Sequence, residues 1–279
     1  MTLSAIILPL LLQVGPDPTA GAIPDYSAEI QDRPPREAQA IEPPASWLSD
    51  CFELIDSDPA RAHVLAQMRR DGTTDEERIL ANHCLGLAAT TLERWDEAMA
   101  AFLAARDEVP LDDPRMRARL GAMAANAALA TGDARRALAL LDTAIGDARA
   151  SASADITAFA LIDRGRTLVA LGDLAAAETA LAEARELRPD DGEARLLSAT
   201  LLRRMGRLAE AQQQIEQAAR VAPNDLQVGL EAGVIAALDG RDEAARESWQ
   251  SVLAIAPDSG EAESARAYIQ QLGPAPKAP

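Results

Sequence analysis

Few residues in this chain have the chemistry that catalysis needs. The two histidines, His63 and His83, stand apart, with no nucleophile motif beside either. The one lysine, Lys277, falls at the extreme tail, so there is no phosphate-cradling P-loop, and no two of the 16 glycines have the G-x-G spacing of a dinucleotide loop. No nucleophile elbow, H-E-x-x-H or EF-hand pattern occurs. Asp190-Asp191 and Asp242-Glu243 are paired carboxylates, but they sit where turns and helix starts favour acids, which makes capping their reading. Thr74 and Glu77 fit a capping box in the same way. No catalytic residue, metal ligand set or cofactor is therefore expected. Cys51 and Cys84 remain, well separated in sequence and without a C-x-x-C. They read either as one disulfide, worth about 3 to 4 kcal/mol by loop closure, or as two small buried hydrophobes.

The elements that carry these residues follow from composition. The chain has 279 residues, 48% hydrophobic but only 3% aromatic. An interior filled mainly by Ala and Leu implies thin, closely packed helices. Asp and Glu number 44 against 27 Lys and Arg, a formal charge of -17. Nucleic acid is excluded as a partner of the whole chain, because that affinity comes from cationic neutralisation of phosphates.

Residues Leu3 to Leu12 are apolar, and Ala20-Gly21-Ala22 offers a small-x-small cleavage site before Ile23. The run falls short of the about 20 residues that a membrane helix requires, and Pro9 interrupts it, so no stable membrane span is expected. Residues 1–22 read as a signal peptide and 23–45 as a proline-rich, extended linker. Helical repeats then occupy 46–272, and 273–279 form a tail. Export implies a periplasmic or secreted protein; if residues 1–22 are not a signal, the chain is cytoplasmic.

The repeats emerge from alignment of the chain with itself. Gly172, Gly206 and Gly240 recur at a constant step of 34, as do Ala177, Ala211 and Ala245, and Pro189, Pro223 and Pro257. Each unit reads as a helix, a glycine turn, a second helix crossing close at alanine, and a proline stop. Upstream, Gly86, Ala98, Phe102, Ala105 and Pro110 follow the same order. The pattern resembles the tetratricopeptide repeat family, with Asn82 and Ala89 at places where that family usually has Trp and Tyr. The step from Ala98 to Ala137 is 39 and from Ala137 to Ala177 is 40. These predict longer connections near 111–114 and 147–155. A degenerate first unit, with Trp47, Cys51 and Leu54 on one helix and Ala62 and Leu65 on the next, opens the array. A helix capped by Ser259 and bearing Ala265, Tyr268, Ile269 and Leu272 closes it.

The resemblance implies an all-α, right-handed α-solenoid of about six helix-turn-helix units with a C-terminal capping helix. It also implies a concave groove, lined by the first helices, that receives a peptide or helix of a protein partner. Carried over unit by unit, the groove-facing set includes His83, Arg119, Asn126, Phe159, Ile162, Arg166, Leu196, Arg203 and Arg204. Donors dominate it, so partners bearing exposed carboxylates are expected. The alternative is a structural component that assembles by self-association or end-to-end packing.

Overall fold

The computed structural model describes residues 47–273. Thirteen helices follow one another there without a strand among the described residues: α1 (Trp47–Ser57), α2 (Pro59–Gly72), α3 (Asp75–Thr91), α4 (Trp95–Glu108), α5 (Pro114–Ala130), α6 (Ala134–Ala150), α7 (Ala154–Leu171), α8 (Leu174–Leu187), α9 (Gly192–Arg204), α10 (Leu208–Val221), α11 (Leu226–Leu238), α12 (Asp242–Ile255) and α13 (Gly260–Leu272). Each packs on its neighbours in sequence, and α3, α5, α7, α9 and α11 are the first members of successive pairs. The described residues are all-α, six helix pairs closed by α13. The readings of residues 1–46 as signal and linker, and of 274–279 as tail, lie outside the described residues.

The repeated alanines do what their spacing implies. Ala98, Ala137, Ala177, Ala211 and Ala245 are all fully buried at helix crossings. A second rule links a small residue on the first helix of a pair to a large one on the second. A methyl group at Gly86 would overlap the Phe102 ring, one at Gly233 the Trp249 indole, and one at Gly165 would lie 2.8 Å from Leu181. At the corresponding positions of the other two crossings, Leu141 and Ile215 on the second helices are matched by Ala125 and Ala199 on the first. Large side chains on the second helices are thus accommodated by Gly or Ala on the first.

Asp58, Asp113, Asp133, Asp173, Asp191, Asp225 and Ser259 accept hydrogen bonds from backbone N–H groups of the first turns they open. The expected role of Asp191 and Ser259 as caps holds. Thr74 departs from its expected capping box, because its hydroxyl donates to Asp75 Oδ2 at 2.8 Å and makes no cap bond. Leu65 is exposed on α2, and His63 occupies the interior position beside Ala62.

The long steps of 39 and 40 are not made by long connections. Only 151–153 separate α6 from α7, and α5, α6 and α7 have 17, 17 and 18 residues, compared with 13 in α9 and α11. Most of the extra residues are helical. Pro114 and Ala154, which open α5 and α7, lie further ahead of Gly132 and Gly172 than Gly192 and Leu226 lie ahead of Gly206 and Gly240. The difference is one additional turn at the start of α5 and α7. Cys51 of α1 and Cys84 of α3 are joined as a disulfide with their Cα atoms 6.3 Å apart, so the bonded reading is the one realised.

Candidate peptide-binding groove

The groove-facing residues recur at spacings of three and four on the first helices, which aligns them on one face. On α5 these are Arg115, Arg119, Met123 and Asn126, and on α7 they are Ile156, Phe159 and Asp163. Together with Ala118, Ala122, Ser153, Asp155 and Ala160 they enclose an open pocket of about 410 Å³. The added turns of α5 and α7, with the capping Ser153, supply its Arg115, Asp155 and Ile156 end. A smaller pocket continues toward α3, where His83 meets Arg115, Met116, Arg119 and Met123.

The expected arginines differ in their circumstances. Arg166 binds Asp163 at 2.9 Å and also Glu193, and Arg203 grips Glu231 through two hydrogen bonds of 2.6 and 3.2 Å. Asn126 donates to Asp163 at 3.0 Å. These groups form a ladder between successive first helices, and their charges are spent inside the protein. The expectation of a donor-dominated groove is corrected at Asn126, Arg166 and Arg203, because it missed Asp163, Glu193 and Glu231. The signal was present: Glu193 and Glu231 follow their arginines by 27 and 28 residues, one repeat less about two turns. Arg119 and Arg204 make no ion pair among the described residues, and neither does Arg115, which the sequence reading did not select. Arg204 lines a separate small pocket with Arg166, Val169 and Thr200.

The apolar members also divide. Ile162 is buried in the core rather than facing the groove, and Leu196 packs partly buried against Ala199 and Leu202. Phe159 is 48% exposed, and the Arg188 guanidinium lies 4.4 Å from its ring centroid. Arg188 is held there by Asp155 and Asp191 at 3.3 and 2.9 Å, which fixes the ring as a rigid wall.

Burial dominates the titration of two groups at the groove, His83 and Asp163. It pushes His83 down to about 4, assisted by the Arg119 charge, so this histidine is neutral at pH 7. Its ring sits between Phe52 and Phe102, with centroids 6.0 and 6.3 Å away. Burial raises the Asp163 carboxyl above its ordinary range, although Asn126 and Arg166 pull in the opposite direction. His63 is buried with Nε2 2.8 Å from Glu97, a contact between the first and second repeats. No group of three His, Cys, Asp or Glu among the described residues could hold a metal ion. No described helix is long and apolar enough to cross a membrane.

Paired helices crossing at alanine, glycine turns and a concave face lined by first helices define a helical repeat protein of the α-solenoid class. Residues 168–232 match the tetratricopeptide repeat family model, and the helix pairs on either side of them repeat the same architecture. No curated protein matches it in sequence. Among solved structures it is similar to PilW, a widely conserved type IV pilus biogenesis factor, at 19% identity and a TM-score of 0.63, over 78% of this chain and 95% of that one. It also matches YrrB, a tetratricopeptide protein with an unusual peptide-binding site, at 20% identity and a TM-score of 0.47, over 80% of this chain and 99% of that one.

Proposed function

We propose that this protein is a non-catalytic scaffold that captures a peptide or helix of a partner protein in the groove across α3, α5 and α7. The captured segment presents a carboxylate beside a bulky apolar side chain. The observation that carries this reading is the pair Arg115 and Arg119, one turn apart and free of internal carboxylates, next to Met123 and the exposed Phe159 ring. Guanidinium forks bind carboxylates well, and here their charge is not already neutralised. A displayed random-peptide library tests it. Selected peptides should pair an acidic residue with an aromatic or aliphatic one. An Arg115→Glu/Arg119→Glu variant of unchanged helicity should bind them at least about tenfold more weakly, equivalent to about 1.4 kcal/mol. Equal binding by that variant sinks the reading.

We also propose export to an oxidising compartment, a reading supported by the Cys51 and Cys84 pairing. A reporter active only outside the cytoplasm, fused after residue 46, should be active; an inactive fusion together with free thiols in the native protein refutes export. Self-association is the second reading, favoured by Val64, Leu65 and Met68, which are 52%, 41% and 67% exposed on α2 in the first repeat. Sedimentation should then reveal a concentration-dependent dimer that Met68→Glu disperses, and a persistent monomer removes this reading.

A further inference from the structure

A second cleft lies between α2, α3 and α4, with a different lining from the groove. It has a volume of about 650 Å³, and Asn82 and Leu85 of α3 line it together with Ala100, Ala101 and Ala104 of α4. Glu97 and Glu108 border it. Asn82 is only 2% exposed, yet its side chain makes no hydrogen bond, and its Oδ1 is fully buried without a donor. An unpaired buried acceptor of this kind is destabilising until a donor reaches it.

The next repeat contains the same arrangement in a filled state. There, Gly121 takes the place of Asn82, Asp147 that of Glu108, and Arg117 that of Arg78. Arg117 lies 3.8 Å from Asp147, as Arg78 lies 2.7 Å from Glu108. The occupant is the Arg106 guanidinium from the preceding repeat, which passes over Gly121 and binds Asp147 at 2.6 Å while only 13% exposed. Arg70 is the counterpart of Arg106 in the earlier repeat, but it stays at the edge of the cleft, where it pairs with Asp71 at 2.9 Å. In the fourth repeat, Leu161 fills the corresponding place and is buried.

We propose that the cleft is a binding site for the arginine side chain of a basic partner segment. The guanidinium enters as Arg106 does one repeat later. It donates to Asn82 Oδ1 and Glu108, and its alkyl stem lies on Ala100, Ala101 and Ala104. The lining favours a cation over an anion, since Glu97, Glu108 and Asp71 outnumber Arg70 and Arg78. This site is independent of the groove and can fail without affecting it.

Titration of isotope-labelled full chain with N-acetyl-arginine amide tests the assignment, read at the backbone amides of Ala101 and Ala104. Saturable shifts are expected with the arginine compound and at least about fivefold weaker ones with the neutral citrulline analogue. Asn82→Leu, which reproduces the filling by Leu161, should keep or raise the melting temperature and abolish saturation; Glu108→Gln should weaken it at least fivefold. Arg70→Ala should bind as well as the natural chain. Equal shifts with citrulline, or undiminished binding by both Asn82→Leu and Glu108→Gln, overturn the proposal. Binding seen only with Arg70→Ala also overturns it, because the cleft then belongs to Arg70 of this chain.

Discussion

The C-terminal repeats, from α7 to α12, and the N-terminal ones, from α1 to α6, solve the same packing problem in different ways. In the C-terminal half the step is 34, the tight turns fall on glycine, and the first-helix arginines Arg166 and Arg203 are paired with the neighbouring repeat. The N-terminal half has steps that stretch to 39 and 40, long first helices α3 and α5 matched beyond it only by α7, a disulfide, and non-glycine residues in left-handed backbone at Asp75, Glu93 and Ala152. It also holds the free arginines Arg115 and Arg119 and the open Asn82 cleft, while the groove pocket straddles the boundary between the halves. Regular repetition lets each unit satisfy the next, as nearest-neighbour stacking requires. In the N-terminal half, departures from the repeat coincide with unpaired groups, Arg115, Arg119 and Asn82 Oδ1, that line open pockets.

The largest expected effect comes from the large side chains at the glycine crossings. Trp249→Ala should cost about 3 to 5 kcal/mol. If the halves are energetically distinct, hydrogen exchange should accelerate in α11 to α13 and leave α3 to α5 protected. Uniform loss of protection would erase the comparison. The mirror experiment, Phe102→Ala, should act on α3 to α5 with similar magnitude. Reduction of the disulfide comes next. Opening the loop that it closes should cost about 3 to 4 kcal/mol and expose α1 and α2 to exchange, with α9 to α13 unaffected.

Most of this architecture was legible in the sequence, because alanine, glycine and proline at fixed steps encode crossings, turns and stops that depend on local backbone geometry. The fate of extra residues was less so. A short insertion can lengthen a loop or a helix equally well, and here helix propagation won, with no Gly or Pro interrupting 115–120 or 154–164. The groove was half legible. Its face followed from the family resemblance carried over unit by unit, but whether an arginine is free depends on a carboxylate in another repeat, as Glu193 for Arg166 and Glu231 for Arg203. Nothing within a single unit reveals that pairing.

Acid should weaken the N-terminal half selectively. His83 titrates near 4 in the folded chain against an ordinary value of 6.5, so between those values the unfolded chain binds more protons. Stability contributed by the neutral imidazole is complete above about pH 6.5 and declines as pH falls toward 4, by at most about 3 kcal/mol. Thermal melts at pH 7.5 and 4.5 should therefore differ less for His83→Leu than for the natural chain. The same acid sensitivity in both proteins would assign the effect elsewhere.

The smallest effect isolates the backbone itself. In the turn between α3 and α4, Glu93 N–H bonds to Thr90 C=O and Arg94 N–H to Ala89 C=O, the pattern that Gly172 and Asp173 make with Val169 and Leu168. Glu93 has φ of 57°, whereas the equivalent Gly132, Gly172, Gly206 and Gly240 lie between 73° and 87°. A side chain in this region costs about 1 to 2 kcal/mol, and glycine returns about 0.5 to 1 kcal/mol of that as chain entropy. Glu93→Gly should thus stabilise the N-terminal half by less than about 1 kcal/mol. Glu93→Ala removes the same charge but keeps the strain, so it should gain less in a denaturant titration. If alanine stabilises as much as glycine, removal of the charge at the α3 terminus explains the change, and left-handed backbone does not separate the two halves energetically.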